Sequence, residues 1–136
     1  NSRDFPERMK IANATALELT RFLQTHPAIE HVWYPGLDPS PIYEQLRKAN
    51  GGYGAVLSFL PHHAGQNTPR IYERLQLSHG ISLGTKYSLV CPYVQLAHYH
   101  ELEWATQCGT DPHLLRVAVG TEAWDDLRER FATALP

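Results

Sequence analysis

Apolar residues in this chain of 136 residues recur every three or four positions in some segments and every second position in others, and that alternation predicts an α/β domain of two layers. The segment Leu114-Leu115-Arg116-Val117-Ala118-Val119 narrows the reading. It carries only aliphatic residues at one set of alternate positions and an arginine in the other set, as a strand covered by helices on one face should. The length suits one hydrophobic core and is too short for two ordinary domains. The expected architecture is a small sheet with helices on one face, in which consecutive strands need not be parallel.

Asp4-Phe5-Pro6-Glu7 has the shape of a capping box: Asp4 can accept from the first turn, Glu7 can reach back, and Pro6 stands where a helix needs no N–H. Met9, Ala12, Ala16, Leu19 and Leu23 then recur at steps of three and four until His26-Pro27 ends the helix. Ile29 to Tyr34, β-branched and aromatic and closed by Pro35-Gly36, is the first strand. Pro39 to Asn50 reads as a second helix with Ile42, Leu46 and Ala49 as its stripe, broken by Gly51-Gly52. Tyr53 to Leu60 is a strand ended by Pro61, and Pro69 to Leu77 is a helix using Ile71, Tyr72 and Leu75. From Ser78 to Pro92 the pattern weakens to short extended pieces around Gly80 and Gly84, where backbone geometry counts for more than packing. Leu96 to Cys108 turns helical towards its end through Leu102 and Ala105, with Gly109 as its cap. After the strand Leu114 to Val119, Thr121 is placed to cap a last helix with Trp124, Leu127, Phe131 and Leu135 on one face.

Composition excludes several classes. With 43% hydrophobic and 19% charged residues the chain is an ordinary globular mixture, so disorder is not its main state. Twelve Lys and Arg against fourteen Asp and Glu give a net charge of −2, which provides no basic field for a nucleic acid. No apolar run approaches the roughly 20 residues of a membrane span, and no charged-then-apolar leader opens the sequence. Cys91 and Cys108 form neither a disulfide scaffold nor a four-ligand zinc site, which points to a reducing compartment and a cytoplasmic location. Opening Asn1-Ser2-Arg3 without Met, the chain reads as a fragment or processed piece of a longer product.

Arg116 is the residue that does not belong to a core. Period two places it between Leu114 and Ala118 on the uncovered side of its strand, where apolar neighbours reduce its hydration. A guanidinium so placed wants a planar anion that matches its fork. Two partners would satisfy it: an acidic side chain of the same chain, or an anion from outside. His98, His100 and Glu101, with His62-His63 or Cys91, are metal-ligand types, but no spacing among them resembles a closed site and no metal is expected. Asn13-Ala14-Thr15 matches a glycosylation acceptor inside a helix, and no Gly-x-Ser-x-Gly elbow supports hydrolase chemistry.

Ser82-Leu83-Gly84, Ser88-Leu89 and Leu115-Arg116-Val117-Ala118-Val119-Gly120 together resemble the C-terminal domain of the pyridoxal-phosphate-dependent Cys/Met metabolism enzymes. The likeness runs over nearly the whole chain, through Glu7-Arg8-Met9 with Asn13-Ala14, Tyr34-Pro35-Gly36-Leu37, Gly52-Tyr53-Gly54-Ala55-Val56-Leu57-Ser58-Phe59 and Gly120-Thr121-Glu122. Cys91-Pro92-Tyr93 and Leu96-Ala97-His98-Tyr99 look most like the fungal cystathionine γ-synthase branch.

The resemblance implies the small domain of the aspartate-aminotransferase-like (fold type I) transferases, with a mainly antiparallel sheet. It implies that residues 1–136 form one such C-terminal domain, and that the Schiff-base lysine and most cofactor contacts belong to a large N-terminal domain outside these residues. No catalytic residue is then expected in this chain, which alone would be inactive. In the family the arginine of this strand binds the substrate α-carboxylate, and that position is Arg116; the serine of the Ser-Leu-Gly segment maps to Ser82, with the backbone next to Leu83 assisting. Thr85, Lys86 and Tyr87 depart from the second Gly and the Glu common in the family, which makes Thr85 and Tyr87 candidate specificity residues. Lys86 is read as a loop lysine although Thr85-Lys86-Tyr87 mimics the Schiff-base context, because Ser88-Leu89-Val90-Cys91 follows it where the family's lysine segment runs into Gly-His.

The activity implied is γ-replacement with pyridoxal 5'-phosphate, O-acyl-homoserine and cysteine giving cystathionine, or a related γ-substitution of specialised metabolism. The implied partners are the chain's own N-terminal domain and further copies in a homo-oligomer, with neither nucleic acid nor membrane. The competing class is a stand-alone, non-catalytic module that binds an amino acid or a protein through Arg116.

Overall fold

The computed structural model describes residues 3–136; Asn1 and Ser2, at which the chain opens without Met, lie outside them. Five strands form one sheet: β1 (Ile29–Trp33), β2 (Val56–Pro61), β3 (Ser78–His79), β4 (Leu89–Cys91) and β5 (Leu115–Ala118), in the spatial order β1-β2-β5-β4-β3. The pairings β1 with β2, β2 with β5 and β5 with β4 are antiparallel, and only the β3 edge is parallel to its neighbour. The sheet is therefore mainly antiparallel, with β5 at its centre.

Three helices, α1 (Phe5–Thr25), α3 (Ala64–Arg74) and α6 (Trp124–Ala134), bury their apolar stripes in one cluster with the inward residues of the sheet. Leu57 and Phe59 of β2, Val90 of β4 and Leu115 and Val117 of β5 are the strand side of that cluster; Leu19, Leu23, Ile71, Leu127 and Phe131 are the helical side. Phe131 meets Phe59 edge to face, with ring centroids 6.2 Å apart. Burial of each of these large side chains stabilises the fold by roughly 1.5–3 kcal/mol, which fixes the sheet against the helices. The stripe of α1 is Ala12, Ala16, Leu19 and Leu23, while Met9 is only half-buried.

Several elements differ from the sequence expectation, each for a local reason. The capping box does not form: Asp4 has φ of −98° and ψ of 5°, outside the extended region in which a cap side chain meets the first-turn N–H groups, and its carboxylate turns to Arg8 at 3.3 Å and Lys86 at 3.4 Å. The second helix, α2 (Pro41–Leu46), is short and exposed, with Ile42 at 68% and Leu46 at 80% accessibility. What holds it is polar and aromatic: the Ser40 hydroxyl accepts from the Tyr43 N–H, Tyr43 stacks on Tyr53, and Arg47 binds Glu44 and the Gly51 carbonyl. Helix α3 starts at Ala64, and Pro69 lies inside it. The hydrogen bond that Pro69 cannot make would have ended on the carbonyl of Gly65, an exposed residue, so the helix continues. Thr121 does not cap α6, whose N-cap is Ala123; its N–H and hydroxyl both donate to the Lys86 carbonyl.

The other face of the sheet carries the site. The stretch after β4 breaks into α4 (Tyr93–Ala97), a 3-10 turn (Tyr99–Glu101) and α5 (Leu102–Gln107), closed by Gly109 with φ of 83°. Val94, Ala105 and Leu102 from these pieces pack on Leu114, forming a second small cluster at the Leu114 end of this face. The row beside it, read across β2, β5 and β4, is Ser58, Arg116 and Cys91.

Candidate functional site

Arg116 stands in the middle of the central strand, which positions its guanidinium on a rigid element. Its Nη2 donates to the Ile81 carbonyl at 2.6 Å, and its guanidinium carbon lies 4.5 Å from the centroid of the Tyr93 ring. Burial pushes the neighbouring Cys91 thiol up from its ordinary pKa, and the Arg116 charge opposes part of that rise. No carboxylate among the described residues lies within ion-pair distance of Arg116, so the internal ion pair that the sequence left open is not made. Its Nε is buried and has no hydrogen-bond partner. A guanidinium with an orphaned donor and no counter-ion carries an uncompensated desolvation cost, which an incoming planar carboxylate offsets.

Ser82 follows the residue that Arg116 grips, and its side chain is exposed. The structure thus brings the Ser82 segment to Arg116 across 35 positions of sequence. Leu83 and Thr85 go elsewhere: they line a cleft of about 140 Å³ with Met9, Ala12, Val56 and Val119, and neither Arg116 nor Ser82 lines it. The Thr85 hydroxyl donates to the Tyr87 carbonyl, and the Tyr87 ring is exposed. Lys86 is a surface lysine paired with Asp4, as its loop context predicts. Burial raises the Asp4 pKa, but the cations of Lys86 and Arg8 outweigh it and hold the carboxyl below its usual value.

Four contacts pin this loop to the rest of the domain. Arg116 takes the Ile81 carbonyl, Arg8 the Gly84 carbonyl, Thr121 the Lys86 carbonyl, and the Glu122 carboxylate accepts from both the N–H and the hydroxyl of Ser88. Gly84, at φ of 74°, makes the turn between the first two. The loop is therefore anchored to the middle of β5, to α1 and to the segment that follows β5.

Sequence reasoning missed Tyr93 and Ser58 as neighbours of Arg116. A strand register was the missing signal: once β2, β5 and β4 are paired, Ser58 and Cys91 fall opposite Arg116, and Tyr93 follows two residues after Cys91. A cleft of about 640 Å³ lies between α1 and the Gly51-Gly52-Tyr53 segment; its lining includes no Ser, His, Cys, Asp or Glu. Among the described residues no group of three or more His, Cys, Asp or Glu is placed to hold a metal, and no helix is long and apolar enough to cross a membrane. His98 pairs instead with Glu101 at 2.7 Å.

A family model described as Cys/Met metabolism PLP-dependent enzyme matches residues 5–136. The chain belongs to this family. Among the family's curated members, cystathionine gamma-synthase of Neurospora crassa is 41% identical over 99% of the chain, and a cystathionine gamma-synthase-like protein of Aspergillus thermomutatus is 38% identical over the same share. The chain spans 22% and 24% of the length of these two relatives. In fold it is similar to cystathionine gamma synthase from Xanthomonas oryzae pv. oryzae, solved in complex with cystathionine, with a TM-score of 0.85 over 97% of this chain and 35% of that one, at 23% identity. The mainly antiparallel sheet and its helices are thus those of the small domain that the resemblance implied. Dependence on pyridoxal phosphate is a property of the family.

Proposed function

We propose that residues 1–136 are the C-terminal, substrate-carboxylate-binding domain of a longer enzyme of γ-replacement, in which an O-acyl-homoserine and cysteine yield cystathionine and the free carboxylic acid. The names of the fungal relatives support this class. A γ-substituting enzyme of specialised metabolism would place the same demand on the site. One observation carries the reading: Arg116, mid-strand and partly buried, is tied by a single N–H to the Ile81 carbonyl and meets no carboxylate among the described residues.

The donor set fits the amino-acid end of pyridoxal-phosphate chemistry. When bound, the cofactor acts as the electron sink that makes departure of a γ substituent feasible. Arg116 receives the α-carboxylate through the N–H groups it has left on Nη1 and Nη2, which fixes how the amino acid lies and is a positioning role. Ser82, next to Ile81, and the backbone at Leu83 would complete the contacts of the same carboxylate, while Thr85 and Tyr87, on the same loop but away from Arg116, are the candidates for side-chain selection. The lysine that carries the cofactor belongs to the N-terminal domain, so no catalytic residue is assigned here. Ile81, Leu83 and Tyr87 are exposed apolar residues around the site, suited to burial against that domain or a second copy in a cytoplasmic homo-oligomer.

The test uses the full-length gene product. The cofactor's visible absorption band should shift on addition of O-acetyl-homoserine. Arg116→Ala should lower kcat/KM by roughly a hundredfold, as expected for a charge-assisted pair worth about 3 kcal/mol, and Arg116→Lys should recover only part because an ammonium lacks the fork. A kcat/KM within twofold of the parent in Arg116→Ala would make the carboxylate role wrong, and a product with no visible band would return the reading to a non-catalytic binding module.

A further inference from the structure

Arg116 is held by less than such a cation normally requires. Besides the hydrogen bond to the Ile81 carbonyl and its interaction with the Cys91 thiol, its guanidinium carbon lies over an aromatic ring, and its Nε is buried. That ring is Tyr93, and its surroundings show that it is itself fixed. Pro92, the N-cap of α4, sets the backbone just before it, and the edge of the ring meets His98 at 6.2 Å in a T-shaped contact. His98 in turn is braced by its 2.7 Å contact with Glu101 and by the Trp104 ring at 6.1 Å. Cys91, two residues before Tyr93, lies opposite Arg116 in the β4 to β5 register. The Cys91-Pro92-Tyr93 segment therefore flanks the guanidinium, with the thiol beside it and its carbon over the face of the ring. The Tyr93 hydroxyl makes no hydrogen bond among the described residues, so the face of the ring is what the residue contributes there.

We infer that Tyr93 is a positioning residue: its ring face holds the Arg116 guanidinium flat against the sheet, so that the N–H groups left on Nη1 and Nη2 are ordered before the substrate carboxylate arrives. The attraction is that of a cation for the negative face of an aromatic ring, stronger where water is excluded. A guanidinium already ordered loses less freedom when it binds, and the difference appears as affinity for the carboxylate. The inference rests on the carboxylate reading of Arg116, and the experiment separates the two.

Two competitive inhibitors of the full-length enzyme serve as probes: L-norvaline, which has the carboxylate, and L-norvalinamide, which does not. Arg116→Ala should weaken norvaline and leave norvalinamide within about twofold. Tyr93→Leu should weaken norvaline by roughly three- to thirtyfold, the range of a cation on a ring converted to affinity, again sparing the amide. Tyr93→Phe, which keeps the ring, should stay within about twofold of the parent for both probes. Pentafluorophenylalanine at position 93 keeps the shape and reverses the charge of the face; it should reproduce the selective loss even if Tyr93→Leu fails to fold. Should Arg116→Ala weaken norvaline selectively while the fluorinated ring does not, the role of Tyr93 is overturned and the carboxylate reading stands. Should Arg116→Ala show no preference between the probes, the carboxylate reading itself falls, and the role of Tyr93 with it.

Discussion

Glu122→Ala should loosen the candidate site without altering any residue assigned to it. The Glu122 carboxylate accepts from the Ser88 N–H at 2.6 Å and from the Ser88 hydroxyl at 2.9 Å, and that hydroxyl accepts the Gly120 N–H at 2.9 Å. Ser88 is 1% exposed, so its N–H has no ready substitute acceptor. Gly120 leaves room for this arrangement: a Cβ there would lie 2.6 Å from Glu122 Oε2, from the Lys86 carbonyl oxygen and from the Tyr87 carbonyl carbon. Hydrogen bonds to a charged group contribute about 1.5–3 kcal/mol each; losing two, with water entering the vacated space as partial compensation, should cost about 3 kcal/mol locally. At 1.4 kcal/mol per decade that is roughly a hundredfold faster native-state hydrogen exchange at the Ser88 and Gly120 amides, with the amides of the central sheet unchanged. Glu122→Gln keeps the shape. Its carbonyl still takes the Ser88 N–H and its amide can donate to the Ser88 oxygen, but the Ser88 proton then loses its acceptor, so the cost should be nearer 1 kcal/mol, or five- to tenfold. Exchange that changes less than twofold in Glu122→Ala, or equally in Ala and Gln, would show that packing and not this carboxylate holds the loop.

Two further outcomes concern the segment from Gly52 to Gly54 that leads into β2. Gly52→Ala would place a Cβ 2.6 Å from Asn13 Cγ and 2.7 Å from its Cβ, on the buried side of α1, and should destabilise the chain by about 1–3 kcal/mol in urea unfolding; Asn13→Ala should recover part of that loss, and no recovery would put the clash elsewhere. The Tyr34 phenol donates to the Gly54 carbonyl at 2.8 Å, and burial, with Tyr43 and Tyr53 nearby, pushes its pKa up to about 12. Its contribution is complete below the unfolded value near pH 10 and is lost as pH rises towards 12, because the unfolded phenol ionises first; the loss is about 1–3 kcal/mol. Tyr34→Phe should be less stable by about 1 kcal/mol at pH 8 yet lose less between pH 9 and 11.5, and urea midpoints that fall in parallel for the two proteins would refute the assignment.

The long elements were legible because their signal is local and repeated. The stripe of α1 repeats enough times to outweigh Met9, its one half-buried member, while β5 shows its alternation only at Arg116, since Leu114 and Ala118 on the same side are buried. Short elements lack that redundancy. Ile42 and Leu46 have the spacing of a buried stripe, but α2 is only six residues long and is held by Ser40, Glu44, Arg47 and Tyr53, whose contacts depend on where Gly51 returns. Pro69 illustrates the converse error. Proline favours a helix start, yet a helix buried through Thr68, Ile71 and Leu75 tolerates it when the lost hydrogen bond falls on the exposed side. Thr121 is a good cap by type, and the Lys86 carbonyl claims it first; no local pattern reveals a partner 35 positions away.

The site divides along the same line, and the division bears on what Arg116 is for. That it projects from the face opposite the main core was legible from period two; that its neighbours are a carbonyl, a ring and a thiol was not, since they come from other segments. The surroundings matter more than the exposure. Three helical arginines have a carboxylate within one turn: Asp4 for Arg8 at 3.3 Å, Glu18 for Arg21 at 3.0 Å, Glu44 for Arg47 at 2.8 Å; Arg130 instead holds the Gln76 carbonyl at the surface. Arg47 is the instructive contrast, because it too lies against a tyrosine ring, at 5.0 Å from Tyr53, and it too grips a backbone carbonyl, that of Gly51. The difference between the two is the acid. Glu44 neutralises Arg47, and the pair is mutual: the Arg47 guanidinium and the Tyr53 hydroxyl hold the Glu44 carboxyl below its usual pKa. Arg116 has the ring and the carbonyl without the carboxylate, and its Nε is buried with no hydrogen-bond partner. An internal acid there would have to be displaced by any anionic ligand, at the cost of a buried unpaired charge. A chain that supplies a carboxylate at Arg47 and none within ion-pair distance at Arg116 leaves that guanidinium open to an anion from outside, which is the demand the proposed carboxylate role makes.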